Sequence, residues 1–426
     1  MTGTLSFAGL FTGHPIPPTE GFDPLASFDP NRLKSDGMRA GGMRPRLGYA
    51  CLWEPVRDRT WSGSAWHLRQ AMSPLCDTVD IGVQLPSLTR TALKAVHTRY
   101  RGGRFTTSWC YSRLTDAYML RAFRHGISEH SKQRRIDAVL MIDALAAVPE
   151  PFFVYYDSSW DALISSADSP ERYAALRLIT PANMRRRREM QLSVYERATG
   201  VIAESHWLRR SLIEQSGVSP AKVHVAPPAI VAGKSEGGDA RPLREREAPR
   251  RKLLFVGRQH NVTDFYRKGG DLVVAALGVL RRDYDPQITL TMVGMEKWPL
   301  PGEPPEGVNF QGVLPPEEVG KLYDSHDLFV MPSRMEPFGL VFVEALSRGM
   351  PCVARNACAM PEIITPGVSG SLINGDDEHE LAATIATALA DDEIYKNCYA
   401  RAPQISAYFS WERTAHDIFQ IMVDET

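Results

Sequence analysis

Short apolar runs alternate with amphipathic stretches along most of the chain. In the first half, Arg46–Leu52, Thr78–Val83, Ile136–Ile142, Phe152–Tyr156, Val201–Ala203 and Val223–Ala226 predict strands. Ser62–Met72, opened by a Ser–Gly turn, and the Arg-rich Asn183–Arg197 predict helices between them. Ala232–Lys252 breaks the pattern: it is small, charged and Pro-punctuated, and predicts a linker. A second series begins after it. Strands are predicted at Leu253–Val256, Ile288–Val293, Val308–Gln311, Leu328–Met331, Cys352–Ala354 and Ser371–Ile373. Helices are predicted at Gly270–Arg281, Pro315–Asp324, about Phe338–Arg348, Glu378–Leu389 and Ser410–Val423. Strands alternating with helices read as α/β with parallel sheets. Two such units put the ligand site in a cleft at the carboxyl ends of the strands.

Length agrees with two units, since 426 residues exceed one ordinary core. No apolar stretch approaches the ~20 residues of a membrane span. The richest, Ala138–Val148, is interrupted by Asp143. Residues 1–43 lack the basic start and apolar run of a signal peptide and read as a loose arm without assigned chemistry. Cys51, Cys76, Cys110, Cys352, Cys358 and Cys398 form no C-x-x-C pair. Scattered thiols fit a reducing, cytoplasmic compartment. The histidines show no metal-ligand spacing, so no metal site is expected. Net charge is −1, unevenly spread: Arg44–Lys252 carries twelve surplus basic charges and Leu253–Thr426 an equal acidic excess. The basic half lacks interleaved aromatic and basic positions, which argues against nucleic acid. An anionic acceptor or an acidic membrane surface would suit it.

The densest chemistry lies in Met331–Leu346, MPSRMEPFGLVFVEAL. A strand ends, Glu336 occupies the loop, and Pro337 precedes a helix, where proline is favoured. Gly339 allows close backbone approach, and the N–H groups of Phe338, Gly339, Leu340 and Val341 suit an anion. Glu344 follows about two turns on. Taken alone, two glutamates at this spacing are better explained by an ordinary helix with a Glu near its start and a solvated Glu on its face.

The segment resembles the E-x7-E signature of the retaining family-four glycosyltransferases, with Pro-Phe-Gly-Leu after the first Glu. Leu253–Leu277, Val308–Ser333 and Gly349–Ile373 resemble the family's other donor-unit elements in the same order. The resemblance implies a GT-B fold: two Rossmann-like domains facing a cleft, with a final helix crossing back to the first. The expected divisions are residues 44–231, a linker at 232–252, residues 253–409, and a crossover helix in 410–426. It further implies that Arg258 and Lys268 hold a donor diphosphate, Glu336 the transferred sugar, Glu344 the ribose, and backbone near Val313 the base. WSGSAWHLRQAM (Trp61–Met72) resembles the family's small-residue loop over the donor or acceptor, with Gly63 and Ser64 at the corresponding positions. Where many relatives place a His, this sequence has Asp157, which suits either a sugar contact or a helix cap.

The activity implied by the resemblance is hexosyl transfer from a UDP- or GDP-sugar to an acceptor hydroxyl, with retention and without a metal or cofactor. A nucleotide-sugar epimerase or hydrolase and a non-catalytic nucleotide-sugar-binding subunit are the alternatives. The acceptor, the sugar, the choice of UDP or GDP and the oligomeric state are not encoded in any motif.

Overall fold

The computed structural model describes residues 23, 25, 26, 28, 44–101, 104–107, 109, 112–165, 181–231, 247, 249–257 and 262–426. Two compact units result. The first extends to Ala229 and includes Trp411–Thr426; the second is Ile230–Ser410 with the described part of Pro17–Pro30.

Unit 1 is built on six strands: β1 (Arg46–Ala50), β2 (Asp77–Asp80), β3 (Ala138–Ile142), β4 (Phe152–Tyr156), β5 (Gly200–Ala203) and β6 (Val223–Val225). They are ordered β6-β5-β4-β3-β1-β2 and are all parallel. Tyr49 lies between Leu140 and Asp80, and Val154 between Met141 and Val201. Every residue of β1 and β3 is buried, because helices cover both faces of a parallel sheet. The expected strand Thr78–Val83 is shorter and earlier. It stops at Asp80, whose carboxylate accepts hydrogen bonds from Trp53 Nε1 at 3.0 Å and Gly82 N at 2.9 Å.

The main helices of this unit are α1 (Ser64–Met72), α2 (Ser87–His97), α3 (Arg113–Ser131) and α4 (Pro181–Arg197). Helix α3 is capped by Ser112, whose Oγ accepts from Thr115 N at 3.1 Å. It buries Thr115, Met119, Phe123 and Ile127, one residue per turn. Between α2 and α3, Thr98–Arg101 and Arg104–Thr107 pair as an antiparallel hairpin.

Unit 2 repeats the plan. Its strands are β7 (Lys252–Val256), β8 (Thr289–Val293), β9 (Val308–Phe310), β10 (Leu328–Met331), β11 (Cys352–Arg355) and β12 (Gly370–Ile373). All are parallel, in the order β9-β8-β7-β10-β11-β12. This is the dinucleotide-fold order, whose direction reverses between β7 and β10. Its helices include α5 (Gly270–Asp283), α6 (Pro316–Ser325), α7 (Leu340–Leu346), α8 (Glu378–Ala390) and α9 (Asp392–Tyr408). Helices α5 and α8 pack on each other, and Leu272, Ala276 and Leu280 of the first and Leu381 and Ile385 of the second are buried in the same core. Asp377 and Asp391 cap α8 and α9 through their side chains.

Helix α10 (Trp411–Asp424) returns to unit 1. Trp411, Ala415, Ile418 and Met422 form one stripe, buried in the core that holds Tyr49, Ala65 and Leu68. Its start is fixed by Pro227, whose carbonyl accepts from Arg413 Nη2 at 2.7 Å and Thr414 Oγ1 at 2.8 Å. The chain passes between units at Ala229/Ile230 and at Ser410/Trp411. Ile230 N donates to Phe409 O at 3.1 Å, so within unit 2 the two passages are neighbours. The first lies ahead of the expected linker, of which residues 232–246 and 248 fall outside the described residues; Lys252 already belongs to β7.

The described residues of the arm are docked rather than loose. Asp23 pairs with Arg401 at 2.5 Å, Phe28 meets Tyr408 edge to face at 5.3 Å, and Leu25 packs on the unit 2 core. No helix among the described residues is long and apolar enough to cross a membrane.

Candidate functional site

In unit 2 the site is assembled from two loops that are far apart in sequence. One follows β10 and carries Glu336; the other is the Lys268–Gly269–Gly270 turn that opens α5. Two hydrogen bonds lock them together: Arg334 N to Arg267 O at 2.8 Å, and Arg267 Nη1 to Met335 O at 2.7 Å. Glycine is required in the turn. Gly269 has φ +74, and a Cβ there would lie 2.5 Å from Pro332 O; a Cβ on Gly270 would meet the Phe265 ring at 2.2 Å. The β10 loop is held from behind by Arg334, which bonds Asp271 at 2.8 and 3.0 Å and Asp376 at 3.0 Å. Arg355 meets the same Asp376 carboxylate.

This scaffold brings Lys268 Nζ to 2.7 Å from Glu336 Oε2, with Arg267 Nη1 at 3.9 Å from the same oxygen. The two side chains of the close pair are 10% and 16% exposed. Burial pushes the Glu336 carboxyl up, but the Lys268 and Arg267 charges outweigh it and hold the group below the ordinary glutamate value. The Lys268 ammonium has three N–H directions, and Glu336 takes one. Arg267 carried no sequence signal apart from being beside Lys268. Arg258 lies outside the described residues.

Just beyond Glu336 the helix starts later than expected. Gly339, at φ +93 and ψ +55, is the N-cap, and α7 begins at Leu340. A Cβ at Gly339 would press on Met360 at 2.9 Å and Phe342 at 2.8 Å, so the turn is closed to other residues. The N–H groups of Leu340 and Val341 have no acceptor within the helix, whereas Phe342 N donates to Gly339 O at 3.0 Å. Phe338 contributes only backbone here: its ring is 5% exposed and packs against Phe409. Glu344, the fifth residue of α7, accepts from the Tyr323 hydroxyl of α6 at 3.0 Å. Burial keeps its carboxyl above the usual glutamate value, although Tyr323 and Arg348 pull the other way. Val313 is 61% exposed in the loop after β9, next to Gly312, whose φ is +70. Cys358, beside Met335, is a packing thiol that burial pushes up to about 12.

In unit 1 the expected loop is a left-handed run rather than a plain helix start. Trp61, Ser62 and Gly63 have φ of +52, +56 and +94, and α1 begins at buried Ser64. Two non-glycine residues in this region are strained, and such strain gathers at functional loops. Trp61 is held by the end of β4: it stacks on Tyr156 at 5.9 Å and meets Tyr155 edge to face at 6.0 Å. Asp157 follows directly.

The carboxyl ends of three adjacent strands thus carry Asp143, Asp157 and Glu204. No motif or spacing marked the first and last of these. Asp143 has φ +71, and burial pushes its carboxyl up to about 6. Glu204 is 4% exposed; burial, then the neighbouring Asp157 charge, hold it well above the usual value. No group of His, Cys, Asp and Glu among the described residues is arranged to hold a metal ion.

Comparison with known proteins agrees with this architecture. Residues 241–405 match the family model described as glycosyl transferases group 1. The chain is 30% identical over 220 residues to a D-inositol 3-phosphate glycosyltransferase of Segniliparus rotundus, covering 48% of this chain and 47% of that one. A Corynebacterium jeikeium protein of the same name is 27% identical over 254 residues, 55% and 59% of the two chains. The chain therefore spans about half the length of the curated relatives it matches. Among solved structures, sucrose-phosphate synthase from Thermosynechococcus elongatus aligns with a TM-score of 0.62 at 19% identity, over 89% of this chain and 99% of that one. HepE of Anabaena, solved with UDP and glucose, aligns at 0.58 and 19% identity, over 89% and 100%. The segment that builds the Lys268–Glu336 site thus matches the glycosyl transferases group 1 model, and the chain has a GT-B fold of two Rossmann-like units.

Proposed function

We propose that the protein transfers a hexosyl group from a nucleoside diphosphate sugar to an acceptor hydroxyl, with retention at the anomeric carbon. The observation that carries this reading is the buried Lys268–Glu336 pair beside the open first turn of α7. A cation, a carboxylate and unsatisfied N–H groups at the carboxyl end of β10 supply what a sugar linked to a diphosphate needs.

In this mechanism Lys268, Arg258 and the N–H groups of Leu340 and Val341 receive the diphosphate. Glu336 accepts hydrogen bonds from the transferred sugar, and Glu344 from the ribose. Backbone at Val313 faces the base. Gly63, Ser64 and Asp157 serve the sugar or the acceptor from unit 1. The bond between the anomeric carbon and the phosphate oxygen breaks while the acceptor oxygen bonds that carbon on the same face. Cleavage leaves its electron pair on the departing phosphate oxygen, so negative charge builds where Lys268 sits, and that oxygen then takes the acceptor's proton. This step needs no metal. The relatives named for D-inositol 3-phosphate make a phosphorylated polyol a reasonable first acceptor to try.

A thermal-shift screen of UDP, GDP and their sugars tests the donor assignment. Ligand at about a hundred times its Kd adds about 2.7 kcal/mol to native stability. One nucleotide series should raise the midpoint, and Lys268→Met should lose that gain. A protein indifferent to every nucleotide would refute the reading.

A further inference from the structure

A cavity of about 640 Å³ opens in unit 1, lined by the start of α3, the start of α4 and the end of α2. It shares no residue with the candidate donor site. Three arginines line it: Arg113 on α3, and Arg185 and Arg186 on α4. Arg186 is oriented by Asp116, which also pairs with Arg187 at 3.2 Å. Arg113 and Arg185 are exposed and make no ion pair among the described residues. Glu189 is the one carboxylate in the lining among the described residues. Counting Asp116 and Arg187 with the lining, four guanidinium groups and two carboxylates gather here among the described residues, a surplus of two positive charges.

Two further features bear on what the cavity holds. His97 also lines the cavity, and its Nε2 is buried without a hydrogen-bond partner among the described residues. The first turns of both α3 and α4 border the cavity, so the positive ends of two long helices converge there. Guanidinium groups on three positions around a concave, partly desolvated space match the oxygens of a phosphate better than a lone carboxylate. The volume exceeds what a bare phosphate fills and lies in the range of small-molecule sites.

We propose that this cavity is a binding site for a phosphoester: a phosphate group held by Arg113, Arg185 and Arg186, with its organic part filling the remaining space. The site is independent of the sugar-transfer reading, since no residue of the donor site takes part in it. The phosphoester is either a free molecule or a lipid headgroup, and two probes separate them.

The first probe is sn-glycerol 3-phosphate, titrated calorimetrically into wild type, Arg113→Glu/Arg185→Glu, Glu189→Gln and Lys268→Met. Both reversed arginines are exposed, so circular dichroism and the thermal midpoint should stay native. Wild type and Lys268→Met should bind alike, the double reversal at least tenfold more weakly, and Glu189→Gln severalfold more tightly. The second probe is co-sedimentation with phosphatidylglycerol vesicles against phosphatidylcholine vesicles. Binding of glycerol phosphate that the reversal abolishes assigns the site to a free phosphoester. Binding of phosphatidylglycerol vesicles alone, abolished by the same reversal, assigns it to a lipid headgroup. The proposal is overturned if wild type binds neither probe, or if the reversal leaves binding unchanged. It is also overturned if binding is lost in Lys268→Met and kept in the reversal, which would place the anion in unit 2.

Discussion

Replacing Lys268 by Met keeps the length and apolar stem of the side chain and removes the charge that faces Glu336 at 2.7 Å. Breaking a fully buried pair by removing one partner costs ~3–5 kcal/mol. Here Glu336 retains 16% exposure, and Arg267 remains at 3.9 Å, so about 1–3 kcal/mol is expected after discounting for water and the second cation. That corresponds to a midpoint lower by roughly 3–10 °C for units of this size. The pH dependence gives a sharper test. In wild type the Glu336 carboxyl is held below its ordinary value of 4.5, so its contribution is present above that pH and lost as pH falls through the folded value. Without Lys268, burial dominates and the carboxyl rises, so the variant loses stability as pH increases past 4.5. The gap between wild type and variant should therefore widen from about pH 4 to pH 7 in urea unfolding. Lys268→Met/Glu336→Gln should recover most of the loss, with a coupling of about 1–3 kcal/mol. Parallel pH curves, or additive single and double variants, would refute this explanation of the pair.

Three further substitutions address the scaffold and the neighbouring carboxyls. Gly269→Ala should cost at least about 1–3 kcal/mol from its positive φ, with more from the overlap at Pro332 O, and should weaken nucleotide binding by displacing Lys268; a native midpoint and affinity would contradict this. Asp143→Asn should stabilise the protein at pH 7, because burial pushes the carboxyl from 3.8 up to about 6 and the native state disfavours the charge above that range. A tenfold change in proton affinity is worth ~1.36 kcal/mol, so up to about 3 kcal/mol is gained, and the stability lost by wild type between about pH 4 and 6 should be missing from the variant. Asn tolerates the left-handed backbone. Glu344→Gln should weaken nucleoside diphosphate binding about tenfold in calorimetry while leaving turnover at saturating donor nearly unchanged; a collapse of kcat alone would reverse the roles given to Glu344 and Glu336.

The central strands of both sheets were legible because each is a short run of buried side chains covered on both faces. Leu328–Met331 and Phe152–Tyr156 begin and end where the apolar residues do. Helix α3 was not legible. Its buried positions recur only every fourth residue, and Arg121, Arg124 and His125 are among the positions between them. Helix α9 was hidden by Pro403, a residue that argues against a helix interior and is nevertheless inside one. Glu336 and Glu344 could be found from spacing, but the Lys268–Glu336 contact joins residues 68 apart and depends on two glycines. The left-handed backbone at Trp61, Ser62 and Asp143 left no trace in the sequence, because tertiary packing, not residue type, imposes it. The phosphoester cavity was invisible for the same reason: Arg113 and Arg185 converge only once α3 and α4 are packed.

The most direct test of sugar transfer with retention is the anomeric configuration of the product. An α-linked UDP- or GDP-hexose, isotopically labelled at its anomeric carbon, is incubated with a phosphorylated polyol panel in EDTA, and the products are followed by NMR. The expected result is an α-linked anomeric signal, one nucleoside diphosphate released per linkage, and a rate lower by about 10²-fold in Lys268→Met. A β-linked product, or undiminished turnover in that variant, would contradict it.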